Sequence, residues 1–108
     1  MGRHQIDREK WAQLSIFEQM GNAGSEVGRA IKAKRSGKDE RVDGAIERAL
    51  DLLDATVEVL IRQKSPRVKE VLRAREEFLR LFYDGTFEDD AENIERYFMQ
   101  FAMAARRR

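Results

Sequence analysis

The sequence predicts an all-α protein in which four helices form an antiparallel up-down-up-down four-helix bundle. Four segments repeat apolar residues at the three- and four-residue spacing of a buried helix face. Short polar turns separate these segments at 36–38, 65–66 and 84–85, and no segment alternates apolar with polar residues as a strand does. Because the connections are short, consecutive helices are expected to lie side by side in opposite directions.

Length and composition favour a single domain over residues 1–108, with a polar leader at 1–10. The chain has 108 residues, 42% of them hydrophobic, which is enough for one buried core. It contains no cysteine, which suits the cytoplasm, and no apolar run reaches the roughly 18 to 20 residues that span a bilayer. We therefore expect a cytoplasmic protein without a membrane partner. Its 21 basic and 20 acidic residues nearly cancel, so overall charge indicates no particular partner.

The first long helix is predicted to begin after Ser15 and to end near Arg35. Ser15 and Glu18 have the spacing of a capping box, in which each side chain accepts a hydrogen bond from the backbone N–H of the other residue. Ahead of this helix, Asp7 is able to start a short turn in the leader, because its carboxylate is suited to capping backbone N–H groups.

Three glycines interrupt this first helix and are its most unusual feature. A glycine inside a helix is less stable than alanine by about 1 kcal/mol, unless another helix needs the space that a side chain would fill. We therefore predict a tight helix–helix contact on the face that the glycines share with two apolar residues. This glycine face consists of Phe17, Gly21, Gly24, Gly28 and Ile31.

The second helix is predicted from Asp39, as its N-cap, to about Lys64. It carries an unbroken apolar stripe, which indicates a helix packed against a core. Ser65 and Pro66 are typical of the start of a third helix, because serine caps well and proline is favoured at the first helical position. The apolar stripe consists of Val42, Ile46, Ala49, Leu50, Leu53, Val57, Leu60 and Ile61.

The third helix is predicted to end at Asp84 and Gly85, because glycine readily adopts the left-handed conformation that closes a helix. Asp89 and Glu92 then have the spacing of a second capping box, which predicts the start of a fourth helix. This last helix is rich in aromatic residues. Its apolar positions are Ile94, Tyr97, Phe98, Phe101, Ala102 and Ala105.

One series of residue types also resembles a known family. The segment from Trp11 to Ile31 contains the motif WxxLSxxEQxxNxGSEVxRAI. This motif is similar to that of a family of small uncharacterised helical proteins from bacteria and archaea, and the resemblance covers most of the chain. It implies an all-helical fold and brings no known activity, so it supports the helical prediction without supplying a function.

A polar stripe runs along the first helix beside the glycine face. Glu18, Asn22, Glu26 and Arg29 follow one another at spacings of four, four and three residues. Arg75 interrupts the apolar line of the third helix, so it is expected either to pair with Glu26 or an acid of the second helix, or to reach water at the edge. These five residues form a candidate polar site; the alternative is a row of ion pairs along the seam of the bundle.

Four carboxylates on the second helix suggest a further hypothesis, a metal-dependent nucleotide phosphohydrolase-like enzyme. Such an enzyme needs acidic groups from two helices around a phosphate, and Glu76 and Glu77 are the available second set. A solvated acidic face is the preferred interpretation. The four carboxylates are Glu47, Asp51, Asp54 and Glu58.

The sequence contains no motif of the other enzyme classes considered. The lone histidine, His4, lies in the leader, so the Glu-x-x-His pairs of a di-iron bundle are absent. There is no serine–histidine–aspartate set and no glycine-rich phosphate loop after a strand. We accordingly expect no catalytic residue, no bound metal and no cofactor.

Two basic segments give the protein a candidate phosphate or nucleic-acid patch. The first is the loop region 32–41, and the second is the tail 106–108. Both are expected near helix ends, where they either attract phosphates or simply complement the helix dipole. The candidate patch residues are Lys32, Lys34, Arg35 and Lys38.

The function that the sequence favours is association, without catalysis, either with itself as a homo-oligomer or with another protein. The motive is the glycine face, since close helix packing is the one demand that the sequence makes clearly. Nucleic-acid binding through the basic loop and tail is the first alternative. The metal-dependent enzyme is the second.

Overall fold

The structure of the protein, a computed structural model, describes residues 6–107. Those residues form five α-helices and no strand, so the all-α prediction is confirmed. The helices are α1 (Arg8–Gln13), α2 (Ile16–Arg35), α3 (Asp39–Arg62), α4 (Val68–Tyr83) and α5 (Phe87–Arg106). Among the described residues, no helix is both long enough and apolar enough to cross a membrane.

Helix α1 is an addition to the four predicted helices, because the second half of the polar leader folds. The Asp7 carboxylate accepts hydrogen bonds from the backbone N–H of Glu9 and Lys10, at 3.1 and 3.2 Å. The Trp11 side chain is buried, and its Nε1 donates to Thr56 Oγ1 of α3 at 3.1 Å. Six residues are too few to display a helical period, so the pattern could not reveal α1. The first part of the leader, His4 included, lies outside the described residues.

The capping box at the start of α2 is confirmed. Glu18 N–H donates to Ser15 Oγ at 3.1 Å, and Ser15 N–H donates to Glu18 Oε1 at 2.9 Å. Gln19 strengthens the same junction from inside the core, where it is only 1% exposed. Its Nε2 donates to the carbonyls of Trp11 and Leu14, both at 3.0 Å. The turn between α1 and α2 is therefore fixed by side chains on both sides.

The predicted cap at Asp39 is wrong, since Lys38 is the N-cap of α3 and makes no side-chain cap bond. The reason lies in how α2 ends. Gly37 has a φ of 71°, and Lys38 N–H donates to the Ala33 carbonyl at 2.9 Å. Because this left-handed closure at Gly37 ends α2, the next residue, Lys38, occupies the cap position. Asp39 is therefore already the first residue of α3. The Asp39 carboxylate lies in the first turn of α3, where its negative charge interacts favourably with the positive end of the helix dipole.

The capping box predicted at Asp89 and Glu92 is also wrong. Helix α5 begins earlier, at Phe87, with Thr86 as an N-cap that makes no side-chain bond. Phe87 is buried, and its ring lies 5.9 Å from that of Phe82 on α4. Because the Phe87 ring packs against α4, the helix starts at this residue, two positions before Asp89. Asp89 therefore lies in the first turn of α5 and not at its cap.

The start of α4 differs from the prediction by two residues. Ser65 Oγ accepts a hydrogen bond from the backbone N–H of Arg67 at 3.1 Å, and the helix starts at Val68. Pro66 thus lies in the turn and not at the first helical position. Helix α3 has already ended at Arg62, because Lys64 adopts a φ of 55° and closes it.

Helix α2 is the centre of the packing. It packs against α3 on one side and α5 on the other, and α4 packs against both α3 and α5. Helix α1 lies on α3. Buried hydrophobic side chains come from all four long helices, and those of α5 include Phe98 and Phe101. The largest fully buried ones lie on α2, α3 and α4 and are Met20, Val27, Ile31, Leu53, Val71, Phe78 and Leu81.

Candidate functional site

Two grooves flank α2 and contain its three glycines and part of the predicted basic patch. The glycine groove, of about 210 Å³, lies between α2 and α5. The cationic groove, of about 510 Å³, lies between the C-terminal end of α2 and the first turns of α3. The glycine groove is defined by Gly21, Gly24, Gly28, Met99, Ala102 and Arg106. The cationic groove is defined by Arg29, Lys32, Lys38, Glu40, Arg41 and Arg48.

The glycine face makes a close helix contact within the chain at two of its three glycines. A Cβ on Gly24 would lie 2.7 Å from the Cβ of Phe98, and one on Gly21 would lie 3.2 Å from the Cα of Ala102. A Cβ on Gly28 would meet no atom within 4 Å. The prediction of a close neighbour is therefore wrong at Gly28, where the groove stays open.

The two apolar residues of the glycine face belong to the core instead of an open surface. Ile31 is fully buried. Phe17 is half-buried, and the centroid of its ring lies 6.3 Å from that of Phe101 on α5. Phe17, Gly21 and Gly24 thus pack α2 onto α5, whereas the Gly28 end of the face has no close neighbour.

Helix α5 presents an apolar strip beside the glycine groove. Met99 and Met103 lie one turn apart and are 58% and 46% exposed. Glu95 lies on the same helix one turn before Met99, and Arg106 lies one turn after Ala102. The strip therefore has an acid at one end and a base at the other. Glu95 also accepts from Arg35 Nη1 of α2 at 3.1 Å.

The candidate polar site is only partly assembled. Glu26, with a side chain 15% exposed, accepts from Arg29 Nη1 at 2.7 Å and from Arg48 Nε at 3.1 Å. Glu18 is occupied by the capping box and Asn22 is exposed to solvent. The polar stripe thus contributes one bridge between α2 and α3.

Arg75 does not join that bridge. Its Nε donates to Asp54 Oδ1 of α3 at 2.8 Å, and about a third of its side chain is exposed. The partner is an acid of the second predicted helix, and Glu26 is not involved. The five residues predicted as a candidate polar site therefore do not form one site.

The acidic stripe of α3 is divided among separate ion pairs. Glu58 pairs with Arg8 of α1 and Arg62 of α3, at 3.6 and 3.8 Å, while Asp54 pairs with Arg75. Within residues 6–107 there is no group of three or more acidic or histidine side chains arranged to hold a metal ion. The metal-dependent enzyme hypothesis gains no supporting geometry from this stripe.

The basic patch divides between two sides of α2. Lys32 and Lys38 line the cationic groove. Lys34 and Arg35 instead lie over the ring of Phe87, with Lys34 Nζ at 5.2 Å and Arg35 Cζ at 5.9 Å from its centroid. These two cations help to hold α5 against α2. Successive helical residues are rotated by about 100°, which already separates position 32 from position 34.

The basic tail does not reinforce the loop. Phe17, near the start of α2, contacts Phe101 near the end of α5, whereas Arg35 at the end of α2 lies over Phe87 at the start of α5. Arg106 is therefore at the opposite end of α2 from the loop, and a helix of 20 residues is about 30 Å long. Arg108 lies outside the described residues. The expectation of one shared positive patch is wrong for the described part of the tail.

Arg48 is the groove residue that the sequence prediction missed. It lies on α3 seven residues after Arg41, which is two helical turns, with Gly44 between them. A Cβ on Gly44 would lie 3.3 Å from Arg48 Nη1, so the guanidinium lies over this glycine. A basic–glycine–basic series at helical spacing, opposite Arg29 and Lys32, was the signal available.

Tyr97 is the one group whose pKa is clearly displaced among the described residues. Its hydroxyl donates to Glu70 Oε2 of α4 at 2.7 Å. Burial raises its pKa well above the ordinary value, and the hydrogen bond and charge of Glu70 add to the effect. At neutral pH the phenol is a neutral donor that links α4 to α5, without acid–base character.

Comparisons with protein-family models, with curated proteins and with solved structures found no match. The family resemblance drawn from the motif between Trp11 and Ile31 therefore stays a prediction.

Proposed function

We propose that the protein acts, without catalysis, by associating with a second copy of itself through the apolar strip of α5. The observation that carries this proposal is the exposure of Met99 and Met103 side by side, next to a groove of small residues. An exposed apolar strip beside an open groove is typical of an association surface. Methionine is flexible and fits irregular grooves, so these side chains suit a groove floored by glycine and alanine.

The charges around the strip support a second copy as the occupant. Glu95 and Arg106 are placed symmetrically about a point between Gln100 and Phe101, and so are Met99 and Ala102. A two-fold axis through that point would bring Glu95 of each copy opposite Arg106 of the other. It would also place each Met99 against the small Ala102. A two-fold interface requires this kind of self-complementarity.

The finer topology is part of the same proposal. The four long helices form an antiparallel up-down-up-down bundle, with α1 as an addition on α3. Support comes from contacts between consecutive helices, such as Glu26 with Arg48, Asp54 with Arg75, and Glu70 with Tyr97. A cytoplasmic location completes the proposal, since a chain without cysteine needs no oxidising compartment.

The test replaces Met99 and Met103 by glutamate and measures the solution mass by light scattering on a sizing column. The unaltered protein is expected at twice the chain mass of 12.6 kDa, and the double variant at the chain mass. The new carboxylates would be buried against apolar side chains of the other copy, without a partner for their charge.

A matched control is Ile61→Glu on α3, since Ile61 is 58% exposed, like Met99. It should leave the dimer intact. An unaltered protein that stays monomeric at high concentration would contradict self-association. Equal dissociation of the Ile61 variant would contradict the assignment to α5.

A further inference from the structure

We propose that the cationic groove is a binding site for the phosphate groups of a small phosphorylated ligand of nucleotide size. This proposal concerns the opposite side of α2 from the α5 strip and does not depend on self-association. Five cationic side chains and one acid, Glu40, line the groove.

The cationic groove carries a local excess of positive charge. The five cations face two carboxylates, Glu40 on the wall and Glu26 bonded to Arg29 and Arg48, which leaves a local excess of three positive charges. The whole chain has a formal net charge of only +1. Asp39 and Asp43 lie nearby in the first turns of α3, but they do not line the groove. The excess is therefore concentrated where a multiply charged anion would bind.

The two arginines of the groove, Arg29 and Arg48, are held in place by one carboxylate. Glu26 holds Arg29 through one Nη1 contact and Arg48 through Nε, so each guanidinium retains further N–H donors. Arg48 is also placed over Gly44, where a larger residue would displace it. A fixed guanidinium binds phosphate oxygens in pairs of hydrogen bonds with little loss of side-chain freedom.

The three remaining cations of the groove are exposed side chains that are able to move toward a ligand. Lys32, Lys38 and Arg41 are exposed, and within residues 6–107 none of them forms an ion pair. Their charges are thus not needed for packing, in contrast to Lys34 and Arg35 on the other side of the helix.

The size of the groove favours a compact ligand. Its volume of about 510 Å³ lies within the range of roughly 300 to 1,000 Å³ that is typical of small-molecule sites. A long nucleic acid would be expected to use the basic tail as well, but Arg106 lies at the far end of α2.

The test is isothermal titration of the full chain with inorganic triphosphate, with ATP and with a short single-stranded RNA. Triphosphate and ATP should each bind at one site per chain, more weakly as salt rises. The variant Lys32→Gln/Arg41→Gln should lose at least about tenfold in affinity, since each charge-assisted hydrogen bond contributes about that much or more. Tighter binding of ATP than of triphosphate would identify a nucleotide, and equal binding a phosphate group alone.

The matched control is Lys69→Gln/Arg73→Gln, which removes one lysine and one arginine from the exposed face of α4. It should bind both probes as the unaltered protein does. Failure of triphosphate and ATP to bind, or an equal loss in the control variant, would overturn the proposal. Binding of RNA without binding of either small probe would overturn it too, in favour of a nucleic-acid surface.

Discussion

The glycine face of α2 has a packed half and an open half, one helical turn apart. At Gly24 the neighbouring helix α5 leaves no room for a methyl group, because Phe98 would lie 2.7 Å away. At Gly28 no atom lies within 4 Å. The same residue type therefore has different physical meanings in the two halves: Gly24 permits the fold, while Gly28 leaves a surface accessible. The packed half holds α2 against α5, and the open half leaves a groove on the surface.

The largest effect that we predict from this comparison is the loss of stability in Gly24→Ala. Phe98 Cβ is attached directly to the backbone, so it cannot rotate away from the new methyl group. Overpacking typically costs about 1 to 3 kcal/mol, and the better helix propensity of alanine offsets up to about 1. We expect a net loss of about 1 to 2 kcal/mol in the free energy of unfolding, measured with urea.

The matched substitution is Gly28→Ala in the open half. It should raise the free energy of unfolding by about 0.5 to 1 kcal/mol, because the helix gains propensity and no contact is strained. Equal changes in the two variants would show that the halves are not different, and the comparison would fail.

The helix caps show how much of this fold is predictable from the sequence. The Ser15–Glu18 capping box was predictable because both partners lie within one turn and need nothing from the rest of the chain. The start of α5 was not, since it depends on the packing of Phe87 against α4. The start of α3 was missed although its cause, the left-handed closure at Gly37, is as local as the closure predicted at Gly85. Local chemistry was predictable, and boundaries set by neighbouring elements were not.

The candidate site divides in the same way. The basic segment after Arg29 was recognised, but its division between two sides of α2 depends on where α3 and α5 lie. Helical rotation could have separated Lys32 from Lys34, whereas only the fold shows that Lys34 faces Phe87. Arg48 comes from a distant segment, and its pairing with Glu26 needs the α2–α3 contact. Which helices meet is thus the information that the sequence pattern lacked.

A smaller loss of stability, which occurs only at alkaline pH, is predicted for the packed seam between α4 and α5. Because the pKa of Tyr97 is raised in the folded protein, its contribution to stability is complete below the ordinary tyrosine pKa of about 10 and is lost as pH rises above it. In a Tyr83→Phe variant, Tyr97 is the sole tyrosine, and its ionisation is followed by ultraviolet absorbance.

The ionisation of Tyr97 should begin well above pH 10 and accompany unfolding. Adding Glu70→Gln should lower that pKa in part, since burial is the larger cause. Ionisation near the ordinary value in the folded protein would contradict both the burial of Tyr97 and its hydrogen bond to Glu70.

The most direct test of self-association through α5 is a charge exchange read out by sedimentation equilibrium. Arg106→Glu alone and Glu95→Arg alone should each weaken the dimer, because like charges would then face each other across the two-fold axis. The double variant should recover the dimer, since the opposite charges meet again with their places exchanged. The Arg35 contact of Glu95 is lost in both the Glu95→Arg single variant and the double variant, so it cannot explain a recovery. Additive weakening in the double variant would contradict the two-fold arrangement.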